Sequence, residues 1–120
     1  MPHCQIVGPV SLPEFHRDFR PRAVTSEGMI LKAEECFLSS HGRVLMLECL
    51  VAEGYLRQGF FILVTADEEG AMVRLLPRTS PEKTEGVKRC LAFVARWLRD
   101  SSPGAAFGKT NLQAQLEMRI

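Results

Sequence analysis

The residues best suited to chemistry in this 120-residue chain are basic side chains set among aromatics: His16, Arg17, Arg20 and Arg22, interleaved with Phe15 and Phe19. Guanidinium groups beside aromatic rings grip phosphate bidentately and stack on nucleobases. The same pattern also suits a plain anchor, with both phenylalanines facing the core and the arginines in water. Pro13 and Pro21 bracket the segment and disfavour a long helix across it.

Other reactive side chains are scattered. Cys4, Cys36, Cys49 and Cys90 form no C-x-x-C pair, and three of them sit inside apolar runs, where a free cysteine behaves as a small hydrophobe. Buried reduced thiols are the expectation. His3, Cys4 and His16 match no metal-ligand spacing, so no metal site is assigned. Gly104 to Thr110 (GAAFGKT) is one residue short of a P-loop between its glycines, and it follows a helix where a P-loop follows a strand. Asp67, Glu68 and Glu69 read as turn residues. No serine or cysteine has a nearby histidine pattern, so no catalytic residue is assigned and no enzymatic activity is expected.

Composition narrows the partners. With 46% hydrophobic and 24% charged residues the chain has an ordinary globular make-up, and its length suits one domain, residues 1–120. A formal net charge of +1 argues against a DNA or RNA footprint, which needs a strong basic excess. No apolar run reaches the roughly 18 residues that span a bilayer, and MPHCQIVGPV lacks a charged leader region. A cytoplasmic protein without membrane insertion is expected.

The elements that must position these residues centre on Thr25 to Pro77. Four apolar runs there (29–38, 43–52, 55–65 and 71–76) are separated by short breaks, which suits a β-meander over residues 23–77. Leu45, Leu47, Cys49 and Val51 share one face of the second run, while Met46, Glu48 and Leu50 give a partly apolar other face. Gly59 suggests a bulge or a close backbone approach. Residues 1–22 form an arm with a brief strand and the arginine segment. Ser80, Pro81 and Glu82 predict the start of an amphipathic helix over 80–100, with Ser80 as N-cap. Its apolar stripe holds Val87, Cys90, Leu91, Val94 and Leu98, and Lys88, Arg89, Arg96 and Arg99 form a solvated face. From Asn111 the tail alternates apolar and polar residues, and period two predicts a strand over 111–120 although its residues favour helix. Such a tail, or the exposed sheet, could pair with a second copy.

In order and spacing, residues 25–99 resemble a PilZ domain, a small β-barrel family of bacterial cyclic-di-GMP signalling. Thr25-Ser26-Glu27-Gly28-Met29-Ile30 is similar to the family's D-x-S-x-x-G segment. LSSHGRVLML (38–47), Gly59 to Val64, and Glu69 to Leu75 follow like its turn and strands, and Thr79-Ser80-Pro81-Glu82 is similar to its helix-opening l-S-P-E. The resemblance implies a mainly β fold with a C-terminal helix (α+β), a six-stranded antiparallel barrel capped by one amphipathic helix. It implies cyclic-di-GMP as a regulatory ligand, no resident cofactor, and Arg17, Arg20, Arg22, Thr25, Ser26 and Gly28 as the ligand edge.

The sequence departs from the family at that edge. Ala23 stands at the aspartate position and Thr25 at the serine position. Arg17, Arg20 and Arg22 give R-x-x-R and R-x-R in place of R-x-x-x-R. A lost base-reading acceptor costs about 1–3 kcal/mol, a tenfold or greater loss of affinity. The expected function is thus a non-enzymatic signalling module that binds the dinucleotide weakly or serves as a protein-interaction adaptor. The alternatives are an unrelated small α+β interaction domain, or an enzyme using Cys49 or the His16 region.

Overall fold

Alternation of apolar and polar residues builds most of this molecule. A computed structural model describes residues 1–79 and 81–118. The elements are β1 (His3–Val7), α1 (Leu12–Asp18), β2 (Arg22–Ser26), β3 (Met29–Leu38), β4 (Val44–Glu53), β5 (Leu56–Ala66), β6 (Gly70–Leu75), a 3-10 turn (Pro77–Thr79), α2 (Glu85–Asp100), β7 (Ala106–Thr110) and α3 (Gln113–Leu116). Among the described residues the strands form one antiparallel sheet in the order β2-β3-β4-β5-β6-β1-β7, curled into a half-barrel. The fold is therefore mainly β with helices. It differs from the expected closed six-stranded barrel with a single helix, because β2 and β7 are both open edges and α1 and α3 add to α2.

Helix α2 lies against the concave side. Leu31, Leu45, Leu47, Val51, Ile62, Val64, Val73 and Leu75 supply the sheet half of the core, and Val87, Cys90, Leu91, Val94 and Leu98 supply the helix half. Each fully buried aliphatic side chain contributes about 1.5–3 kcal/mol of transfer free energy. The predicted helix start at Ser80 is corrected. Ser80 lies outside the described residues, and the cap is Thr84, whose Oγ accepts from the Val87 amide at 3.3 Å. Proline at 81 stays non-helical because the Gln58 side chain on β5 accepts from the Glu82 amide at 2.8 Å and donates to its carbonyl at 3.1 Å. Glu53 completes the helix start, accepting from the Gly86 amide at 2.8 Å and from the Thr84 hydroxyl. A carboxylate there also satisfies the positive end of the helix dipole.

The brief strand expected in the 1–22 arm is present as β1, between β6 and β7, and Ser11 caps the short helix α1 by accepting from Glu14 N. Two further expectations change. Gly59 is paired in regular register with Leu50, and the irregularity falls instead between Ala33 and Glu35. The tail forms the one-turn helix α3 (Gln113–Leu116) with no strand over 111–118, and Arg119 and Ile120 lie outside the described residues. Leu112 and Leu116 fit either period. Both are buried while Ala114 is exposed, which is the helical answer. The strand near the end comes one segment earlier, as β7, within the stretch that mimicked a P-loop.

Candidate functional site

Strand β2 and the turn after it carry most of the expected ligand edge. Ser26 pairs with Met29, leaving Glu27 and Gly28 as a two-residue turn with φ of 47° and 82°. Positive φ at both positions is the type I′ geometry that matches strand twist, which explains glycine at 28. Along β2, Arg22, Val24 and Ser26 face α2, whereas Ala23 and Thr25 face outward. The structure thus separates Thr25 from Arg22 and Ser26 by the thickness of the sheet.

Each inward residue already has an intramolecular partner. The Arg22 guanidinium lies 4.1 Å from the Trp97 ring centroid. Phe19 stacks on the same ring at 5.4 Å, Phe93 at 5.7 Å, and Phe15 meets it tilted at 5.2 Å. The two phenylalanines thus anchor α1 and the segment after it. Ser26 is 5% exposed, and its Oγ accepts from Arg89 Nη1 at 3.0 Å. Arg17 and Arg20 remain at the surface. Arg17 donates to the Asp18 carboxylate at 3.0 and 3.1 Å, and that hydrogen bond holds the Asp18 carboxyl below its usual range. Arg20 donates to the Phe19 carbonyl at 2.7 Å. Beside the β2 edge, Pro21, Arg22, Ala23, Lys32, Ala33 and Glu34 line an open hollow of about 380 Å³.

The helix face expected to be solvated is half engaged. Arg89 is only 7% exposed, donating to Glu85 at 2.9 Å, to Ser26, and lying 3.4 Å from Glu27. Arg96 donates to the carbonyls of Gln115, Leu116 and Met118, the C-terminal end of α3, where a cation is favoured. Gln115 reaches Glu85 at 3.0 Å. The Glu85–Arg89 spacing of one helical turn was readable in the sequence. Their link to Ser26 was not.

The convex side of the sheet is a second candidate. In-register neighbours Phe37, Met46 and Leu63 form one outward row; Glu35, Glu48 and Phe61 form the next. Lys32, Leu50 and Gly59 follow, then Ile30, Ala52 and Arg57. Phe37 is 46% exposed and Ile30 41%. The bulge in β3 leaves Glu34 and Glu35 both exposed beside Glu48, and among the described residues no ion pair holds any of the three. Around Gly59, with Phe61, Glu34, Glu48 and Thr79 on its walls, lies a hollow of about 350 Å³.

The sulfur chemistry is subdued. All four cysteines are free and buried. The Cys49 thiol is pushed well above the usual thiol range by its hydrogen bond with Cys90 and by burial, and Cys36 is pushed up to about 12, chiefly by burial. Among the described residues no cluster of three or more His, Cys, Asp and Glu side chains could hold a metal ion. No helix among them is long and apolar enough to cross a membrane.

Compared with protein-family models, with curated proteins and with solved structures, the chain matches none.

Proposed function

We propose that this chain is a non-enzymatic cytoplasmic interaction module on a PilZ-like scaffold, acting in cyclic-di-GMP signalling through protein contacts and holding the dinucleotide weakly at most. The observation that carries this reading is the convex sheet face, where exposed Phe37 borders the Glu35–Glu48 row, whose carboxylates have no ion-pair partner among the described residues, and exposed Ile30 lies two rows further along β3. Contiguous apolar surface rimmed by charge is the signature of a macromolecular contact. The receptor version is weakened by chemistry at the ligand edge. Arg22 would have to leave Trp97, and Ser26 would have to leave Arg89, before either could meet a ligand, and Thr25 lies across the sheet from both.

Calorimetric titration of the purified chain with cyclic-di-GMP separates the versions. A flat titration is expected, together with retention of a protein partner from bacterial lysate that Phe37→Glu abolishes. Saturable, salt-sensitive heat that Arg17→Ala, Arg20→Ala or Arg22→Ala removes would replace the adaptor by a dinucleotide receptor. A flat titration with no partner dependent on the convex face would overturn the proposal altogether.

A further inference from the structure

We infer that the convex sheet face is self-complementary and that its occupant is a second copy of this chain, packed face to face about a two-fold axis running across the strands. The inference rests on the reading of this face as a protein-contact surface and adds the identity of the partner. Two packed sheets lie about 10 Å apart with their strands nearly aligned, so the side-chain rows of one face meet those of the other. A two-fold axis makes every contact occur twice.

The order of the rows selects the position of that axis. Placed between the Glu35–Glu48–Phe61 row and the Lys32–Leu50–Gly59 row, the axis lays each row on the other row of the second copy. Glu34 and Glu35 then meet the partner's Lys32, pairing carboxylates that have no ion-pair partner among the described residues with a cation that likewise has none among them. Phe61 meets the partner's Gly59, the one outward position in that row with no side chain, and the hollow of about 350 Å³ receives the ring. One row further out, Phe37 covers the partner's Ile30, so the two most exposed apolar side chains of strand β3 shield each other. Met46 meets the partner's Ala52, large against small. An axis running along the strands would instead lay the Glu35–Glu48–Phe61 row on itself with strand order reversed, setting Glu48 against Glu48 or Glu35 of the second copy, at a cost of several kcal/mol for juxtaposed like charges.

The size is that of a weak, reversible contact. Across β3 to β5, strands about 4.8 Å apart and outward rows about 6.8 Å apart give a flat footprint of about 400 Å², below the ~800 Å² per partner of a standard interface. Gly59 also makes sense in this light. A Cβ there would have its nearest neighbour at 4.0 Å, so folding of the monomer does not require glycine.

Sedimentation equilibrium of the full chain tests the inference through charge reversal. The chain is expected to dimerise at about 100 μM, with affinity falling as salt rises. The variants Glu35→Lys and Lys32→Glu should each be monomeric alone, yet their equimolar mixture should restore a dimer, because each reversed charge then meets its opposite across the axis. Gly59→Thr should keep the circular dichroism and unfolding midpoint of a folded strand protein while weakening the dimer at least tenfold. A chain that is monomeric at that concentration, or a dimer indifferent to these variants, would overturn the inference. If a lysate partner were still lost in Phe37→Glu, the contact-surface reading would survive that outcome. Variants that dimerise alone as well as the parent chain would likewise place the dimer elsewhere.

Discussion

The guanidinium of Arg22 stands 4.1 Å above the ring of Trp97, so the first residue of β2 is pinned to the last turns of α2 by a cation–π contact. Trp97 is the chain's single tryptophan. Arg22→Ala should therefore shift its fluorescence emission and lower stability by about 0.5–2 kcal/mol in denaturant titration. Unchanged emission would show that the contact does not persist in solution. The same signal reports on ligands, since a phosphate that drew Arg22 away would move it.

Arg89 predicts a larger loss than any surface charge. It joins α2 to the β2–β3 turn through Ser26 and Glu27 and to its own helix through Glu85. Arg89→Met keeps the length of the side chain but leaves Ser26 without its donor and Glu85 with Gln115 alone, at a cost of about 2 kcal/mol. Glu27→Gln should cost under about 0.5 kcal/mol, because that carboxylate is 69% exposed and screened. Urea midpoints of the two variants would establish the ranking, and equal losses would refute it.

The contrast between β3 and the chain's end shows what was legible in the sequence. Met29–Leu38 was readable to the residue, because Gly28 and the Ser39 to Gly42 turn bound an apolar run whose pattern local chemistry suffices to set. Strand β7 was hidden. Gly108 is small because the Gln5 and Val7 side chains occupy the space where its Cβ would go, a contact between residues about a hundred positions apart. The arginines of α2 failed as surface residues for a similar reason: Arg89 and Arg96 find their partners on β2 and α3, which no helical wheel contains. At the candidate site, residue types were legible and facing was not. Thr25 and Ser26 are adjacent in sequence and therefore point to opposite sides of the sheet.

Acid sensitivity should trace in part to Glu85. Burial pushes its carboxyl up, but hydrogen bonds from Arg89 and Gln115 outweigh that and hold it below the ordinary value of 4.5. The folded chain then binds this proton less readily than the unfolded chain. Ionised Glu85 stabilises fully above about pH 4.5, and that contribution disappears as pH falls through the lowered folded value. The side chain is 41% exposed, so solvent screening keeps the effect to roughly 0.2–1 kcal/mol. Glu85→Gln should flatten the stability profile between pH 5 and 3 by lowering its neutral side by that amount while leaving the acid end little changed, as read from urea midpoints across that range. A profile as steep as the parent's would assign the acid response to other carboxylates.

Gly70 should tolerate no side chain, whereas Gly59 should accept one. A Cβ at Gly70 would collide with the Ile6 carbonyl oxygen of β1 and crowd Val7, both backbone atoms of a strand held between β6 and β7. Relief would require β1 to move out of register, so Gly70→Ala should cost about 3 kcal/mol or more. Gly59→Ala meets only the Cys49 carbonyl oxygen, at an unstrained 4.0 Å, and should stabilise by a few tenths of a kcal/mol through lower unfolded-state entropy. Thermal unfolding of the pair would show opposite signs.

Thiol chemistry offers the final prediction, because it bears directly on an enzyme built around Cys49. A thiolate is the reactive species, and each factor at this site opposes it. The side chain is buried, the Cys49–Cys90 hydrogen bond favours the protonated pair, and Glu34 and Glu48 add negative potential. Cys36, pushed up to about 12, would be ionised in only about one molecule in ten thousand at pH 8. Ellman's reagent should therefore label the native chain only as fast as it opens, with all four thiols reacting together once denaturant unfolds it. The native rate should fall with added stabiliser and rise with urea in step with unfolding. One cysteine that reacted in seconds at neutral pH, at a rate independent of stability, would mark an activated nucleophile and reopen the enzymatic alternative.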